Sequence, residues 1–284
     1  MTTRLAIIDS VASGLVLLLL SSPAMAQELQ KNSHLKSIEQ CNGADRIPLQ
    51  ARIVGCTVLI SSGDAKPDAL AVAYNNRGNA YIATAEYDRA IRDFDQAIEL
   101  ASGYVKPVNN RGVAYLRKGA YDDAVKAFDQ AIKLNPDYGS AFANRAEAYL
   151  KMGRYDRAAR DFDEAIRLDP NSTLAWSGRC WTRAILGDLA AGLDDCNRVL
   201  QADSNNAAAY DSRALIHLKR GRAAAAIDDY NSALRVEPKL ASALYGRGLA
   251  KLRQGDKAGG DSDLAAAKMI EAKVGDDFAR YGVQ

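Results

Sequence analysis

The chain has 284 residues, enough for one large domain or two small ones. Its 37 Lys and Arg nearly cancel its 35 Asp and Glu, so no basic stripe marks it for nucleic acid. Aromatics are sparse at 7% while alanine is abundant, which suits closely packed helices better than a sheet sandwich. The first 26 residues stand apart. Arg4 gives a basic start, Val11–Leu20 an apolar run, Ser21-Ser22-Pro23 a break, and Ala24-Met25-Ala26 an A-x-A cleavage site. This predicts a secretory signal peptide over 1–26, and an exported mature chain that is periplasmic in a Gram-negative cell. Ten strongly apolar residues are too few to cross a bilayer, so no membrane span is expected after cleavage.

Residues 27–70 read as a degenerate helical repeat and linker, with a second helix over Leu49–Ile60 turning Ile53, Cys56 and Ile60 inward. From Ala71 the chain repeats. The strings NNRGNAY, NNRGVAY and ANRAEAY place Arg77, Arg111 and Arg145 thirty-four residues apart, and the same step lands on Arg179, Arg213 and Arg247. Six units follow without insertion: 71–104, 105–138, 139–172, 173–206, 207–240 and 241–274. Each carries helical apolar spacing twice. In the first, Tyr74, Gly78 and Tyr81 share one face, and Tyr87, Ala90, Phe94 and Ala97 share another. Gly119, Gly153, Gly187, Gly221 and Gly255 fall where the chain must reverse inside a unit, a place for positive φ. Pro136, Pro170 and Pro238 fall between units. Residues 275–284 form a capping tail, with an extra helix expected over Lys268–Tyr281 to cover the end of the array.

At these residues the chain resembles the tetratricopeptide repeat family. The second unit shows the family pattern as Gly112, Tyr115, Ala124, Phe128, Ala131 and Pro136, and the third as Ala146, Tyr149, Ala158, Phe162, Ala165 and Pro170. The fourth and sixth units depart from it: Cys180, Arg183, Gly192 and Cys196 stand in the fourth, and Lys251 and Leu264 replace the aromatics of the sixth. The resemblance implies an all-α fold, a right-handed superhelical solenoid of tandem antiparallel helix hairpins. Its concave groove, lined by the first helix of each pair, would bind a peptide or protein segment.

Four cysteines, Cys41, Cys56, Cys180 and Cys196, permit three pairings. No C-x-x-C occurs, and His34 and His217 have no metal-ligand spacing to them, so neither a metal nor another cofactor is expected. Export favours disulfides. In the repeat register Cys180 holds the close-contact position of a first helix and Cys196 the aromatic position of its partner, which favours Cys180–Cys196 and hence Cys41–Cys56.

Two polar ladders remain. The six arginines have Asp93, Asp161, Asp195, Asp229 and Asp263 in the second helices, with Ala127 the exception, which reads as a repeated structural pair because charges at packed positions need partners, the alternative being a basic ladder for an anionic ligand. Asn76, Asn110 and Asn144 precede three of those arginines on the expected groove side with Asn79, Val113 and Glu147, and Arg117 and Lys151 lie one turn beyond. Similar stacked asparagines hold an extended peptide in the repeats of O-linked N-acetylglucosamine transferase, and an amide offers a peptide group both donor and acceptor. The carboxylate clamp of chaperone-binding relatives does not fit, because Asn75, Ser140 and Asn144 stand at its basic positions. Trp181 serves either as a ligand anchor or as packing between repeats. No nucleophile–histidine set or phosphate loop can be assembled, so an interaction scaffold is expected and not an enzyme. The alternative is an envelope-structural component acting through its outer face or by self-association.

Overall fold

The computed structural model describes residues 23–43, 47–63 and 65–283. Residues 1–22, with most of the expected signal peptide, lie outside these. Among the described residues there are fifteen α-helices and no strand. The first five are α1 (Pro23–Asn42), α2 (Leu49–Ser61), α3 (Pro67–Ala83), α4 (Tyr87–Leu100) and α5 (Val105–Lys118). Next come α6 (Tyr121–Leu134), α7 (Gly139–Lys151), α8 (Tyr155–Leu168), α9 (Thr173–Leu186) and α10 (Leu189–Ala202). The last are α11 (Ala207–Lys219), α12 (Ala223–Val236), α13 (Ala241–Arg253), α14 (Lys257–Ile270) and α15 (Val274–Arg280). No described helix is long and apolar enough to cross a membrane.

The chain divides into two compact units, 1–118 and 119–284. In the first, α1 pairs with α2 and α3 with α4, and α5 packs on α4 and α3. In the second, α7/α8, α9/α10, α11/α12 and α13/α14 form successive hairpins, each first helix also touching the next. This is the neighbour-to-neighbour packing of a tandem-hairpin solenoid, and the 34-residue period dictates it. Each unit has one apolar face per helix and buries it only against an adjacent copy.

The turns and close contacts follow the repeat. Gly119, Gly153, Gly187, Gly221 and Gly255 all have φ between +69° and +89°, and the first unit uses Ala85 at φ +60° in the same register. Phe94, Phe128 and Phe162 are fully or almost fully buried in the second helices. A Cβ on Gly78 would lie 2.7 Å from the Phe94 ring, so the small residue there is what lets α3 and α4 approach. Both favoured disulfides are formed, Cys41–Cys56 with Cα atoms 4.6 Å apart and Cys180–Cys196 with 5.3 Å, inside the normal range.

The C-terminal end differs from expectation. A single helix over Lys268–Tyr281 is not observed: α14 runs to Ile270, the chain breaks at residues 271–273, and α15 starts at Val274. α15 lies on the last hairpin, against α13 and α14. Phe278 meets Tyr245 of α13 at 4.9 Å, and Tyr281, just past α15, is edge-on to Trp181 of α9 at 5.4 Å. Apolar Val274, Phe278 and Val283, each 3% exposed or less, find cover there.

Candidate functional site

The arginine ladder is structural. Arg77, Arg145, Arg179, Arg213 and Arg247 each donate Nε and Nη2 to the aspartate sixteen residues later, Asp93, Asp161, Asp195, Asp229 and Asp263, at 2.7–2.8 Å. The fork matches the carboxylate bidentately. The remaining Nη1 reaches the second helix of the preceding hairpin: Thr57 for Arg77, Asp129 for Arg145, Asp163 for Arg179, Asn197 for Arg213 and Asn231 for Arg247. Each guanidinium therefore ties three helices together. Arg111, whose offset position is Ala127, bonds Asp95 in the same way at 2.6 Å. The Asp93 hydrogen bond holds the pKa of Arg77 above its usual value, and Asp229 does the same for Arg213.

The asparagines also join helices. Asn76 Nδ2 donates to Asn42 of α1 at 3.1 Å, and Asn110 Nδ2 donates to Asn75 of α3 at 3.0 Å. Asn75 and Asn109, both about 5% exposed, donate in turn to the amides of Asn76 and Asn110. The register of this ladder continues as Gly178, Ser212 and Gly246, where a Cβ would run into the Phe162 ring and the Tyr230 phenol. Those positions thus face the contact between hairpins. Asn76, Asn79, Asn110 and Asn144 stay half-exposed.

The register of Arg117 and Lys151 has a capping role further along. Lys219 Nζ donates to the carbonyls of Ala184 and Ile185, and Arg253 Nη1 to that of Leu218. Cations at the C-terminal end of one first helix thereby satisfy the orphan carbonyls of the preceding one. Arg117 and Lys151 are exposed.

In the second unit a cleft of about 660 Å³ opens along the first helices. Lys151 and Trp181 from the expected set line it, together with Glu147, Ser177, Asp211 and, from the tail, Tyr281. Apart from the tail, its acidic side chains are Glu147, Asp211 and Glu237 and its one basic side chain is Lys151. Asp211 is the residue that sequence reasoning missed. It is 6% exposed and accepts a hydrogen bond from the Ser242 hydroxyl at 2.8 Å. Burial pushes its carboxyl up to about 7, the Ser242 bond opposing this only in part. A signal existed: Asn75, Asn109, Ser177 and Asp211 recur at multiples of thirty-four, a polar residue at a position packed inward. Among the described residues no group of three or more His, Cys, Asp or Glu is arranged to hold a metal.

Tandem hairpins of this period, stapled by repeating ion pairs and presenting an open cleft, define a helical-repeat scaffold for protein–protein contacts. Residues 71–104, 108–138 and 139–172 match the tetratricopeptide repeat model, and residues 214–255 match a TPR repeat model. The chain belongs to the tetratricopeptide repeat family. No curated protein matches it. Among solved structures it is similar to a tetratricopeptide repeat protein from Parabacteroides merdae, with 18% identity, TM-score 0.66, and coverage of 88% of this chain and 99% of that one. It is also similar to pilF of Pseudomonas aeruginosa, with 15% identity, TM-score 0.63, and coverage of 76% and 99%. A third is YrrB, described as a TPR protein with an unusual peptide-binding site, with 23% identity, TM-score 0.53, and coverage of 68% and 97%.

Proposed function

We propose that the chain is an exported, non-enzymatic scaffold that holds a peptide or protein segment against the inner faces of its first helices. The observation that carries this reading is the cleft over α7, α9 and α11. It combines an aromatic side chain at Trp181, the hydroxyls of Ser177, Ser212 and Ser242, and the carboxylates of Glu147 and Glu237 against the single Lys151. That chemistry favours a segment bearing Lys or Arg beside an apolar or aromatic residue. In the first unit Asn76, Asn79 and Asn110, half-exposed on first helices, and Arg117 at the end of α5 form a second candidate surface, and in the second unit Asn144 is half-exposed on α7. A peptide-binding site in the similar structure of YrrB adds support by analogy. Two disulfides suit an oxidising compartment outside the cytosol.

Photocrosslinking in the cell of origin tests the reading. A benzoylphenylalanine placed at Lys151 or Ser177 is expected to trap a partner, and the same group at exposed Gln130 or Arg160 of the second helices is not. Asn110→Ala and Asn144→Ala should each lower the yield. Crosslinks confined to Gln130 and Arg160 would favour the alternative, assembly through the outer face. Mass spectrometry of the exported protein should find Gln27 at its N-terminus, and an intact Met1 in a membrane fraction would remove the export part.

A further inference from the structure

The tail seals the last hairpin, with α15 against α13 and α14, and it also reaches past that hairpin. Val274, Phe278 and Tyr281, spaced i, i+4 and i+7 on one helical face, line the cleft as part of its wall. Two of them reach aromatics on different hairpins, Phe278 to Tyr245 of α13 and Tyr281 to Trp181 of α9. Gly275 permits the approach, since a Cβ there would lie 2.9 Å from the Tyr245 hydroxyl. The tail closes on itself after α15: Gly282 takes φ +75°, and the Val283 N–H donates to the Phe278 carbonyl at 3.0 Å. This left-handed stop folds Val283 back to 3% exposure.

We infer that Val274–Val283 is a displaceable wall of the cleft, and that an amphipathic helical segment of a partner with apolar or aromatic residues at that same spacing takes its place. The inference rests on the groove reading above. Seven helical residues are too few to hold a helix in water, so α15 is ordered by its docking and melts when it leaves. The link from α14 is only residues 271–273, which keeps the tail at an effective concentration on the order of millimolar. Any partner segment of like chemistry must compete with it, and the tail thereby sets a threshold that weak apolar peptides do not pass.

The test uses the full chain and a labelled synthetic peptide of residues 271–284, followed by fluorescence anisotropy. The full-length double variant Phe278→Ser/Tyr281→Ser, with its tail undocked, should bind the native-sequence peptide saturably. The wild-type chain should bind it at least tenfold more weakly, and a peptide carrying the same two substitutions should not bind either chain. A variant with native circular dichroism that ignores the peptide, or equal binding to both chains, overturns the inference. If the variant does not fold, hydrogen exchange on the wild-type chain decides. Excess free peptide should accelerate exchange at Tyr281 and Val283 while α13 is unaffected, and unchanged rates overturn the proposal. Groove crosslinks that persist while the tail fails these tests would leave the groove reading standing without it.

Discussion

Asp195 is the most buried carboxylate of the arginine ladder, and its replacement by Asn gives a measurable contrast. The side chain is 3% exposed and accepts three charge-assisted bonds, from Arg179 Nε and Nη2 at 2.8 Å and from Arg183 Nη1 at 2.7 Å. Asparagine keeps the volume but leaves two guanidiniums, 12% and 23% exposed, without their shared anion. Removing one partner of a buried pair costs about 3–5 kcal/mol, and the residual access of water to the arginines places Asp195→Asn near ~3 kcal/mol. Asp163, the other partner of Arg179 at 2.7 Å, is 54% exposed. Its replacement by Asn should cost only ~0–1 kcal/mol, because the Asp163 carboxylate is largely in water and Arg179 keeps its bidentate pair with Asp195. Urea unfolding at pH 7, followed by circular dichroism, measures both. Adding about 1 M salt should erase the Asp163 effect, since the screening length there is only about 3 Å, and leave most of the Asp195 effect. Equal costs for the two variants, or a cost below ~1 kcal/mol for Asp195→Asn, would refute the assignment of the ladder to the packed core of the hairpins.

Other outcomes follow from the same geometry. Reducing Cys180–Cys196, which closes a separation of 16 residues, should cost ~3 kcal/mol and expose amides over residues 175–205 before others, and uniform exposure would count against a local role. Asp211 has its folded-state pKa raised to about 7 from 3.8, so the folded chain holds a proton that the unfolded chain has released. Stability should therefore fall as pH rises from about 4 through about 7, and Asp211→Asn, equal to wild type near pH 4, should exceed it at pH 8 by up to ~4 kcal/mol, with parallel melting curves as the contrary result. Among the described residues Ala85 alone takes positive φ without being glycine. Its replacement by Gly should stabilise by ~0.5–1 kcal/mol in thermal unfolding, while Gly119→Ala should destabilise.

What the sequence determined by itself was the set of relations that repeat at short range. The hairpins, the positive-φ turns, the Arg–Asp pairs at a separation of sixteen and the Cys180–Cys196 bridge all join the two helices of one hairpin. Their spacing is dictated by helix pitch and turn length, so a 34-residue period exposes them directly. The groove set was legible only in part: Lys151 and Trp181 line the cleft, whereas Asn76 and Asn110 make amide bonds between neighbouring first helices. Those bonds, the capping of one first helix by Lys219 or Arg253 of the next, and the burial of Asp211 depend on how hairpins stack, which no local pattern records. The tail is the extreme case. Tyr281 meets Trp181 one hundred residues upstream because the tail carries Val274, Phe278 and Tyr281 at helical spacing, and these side chains leave water beside the first helices.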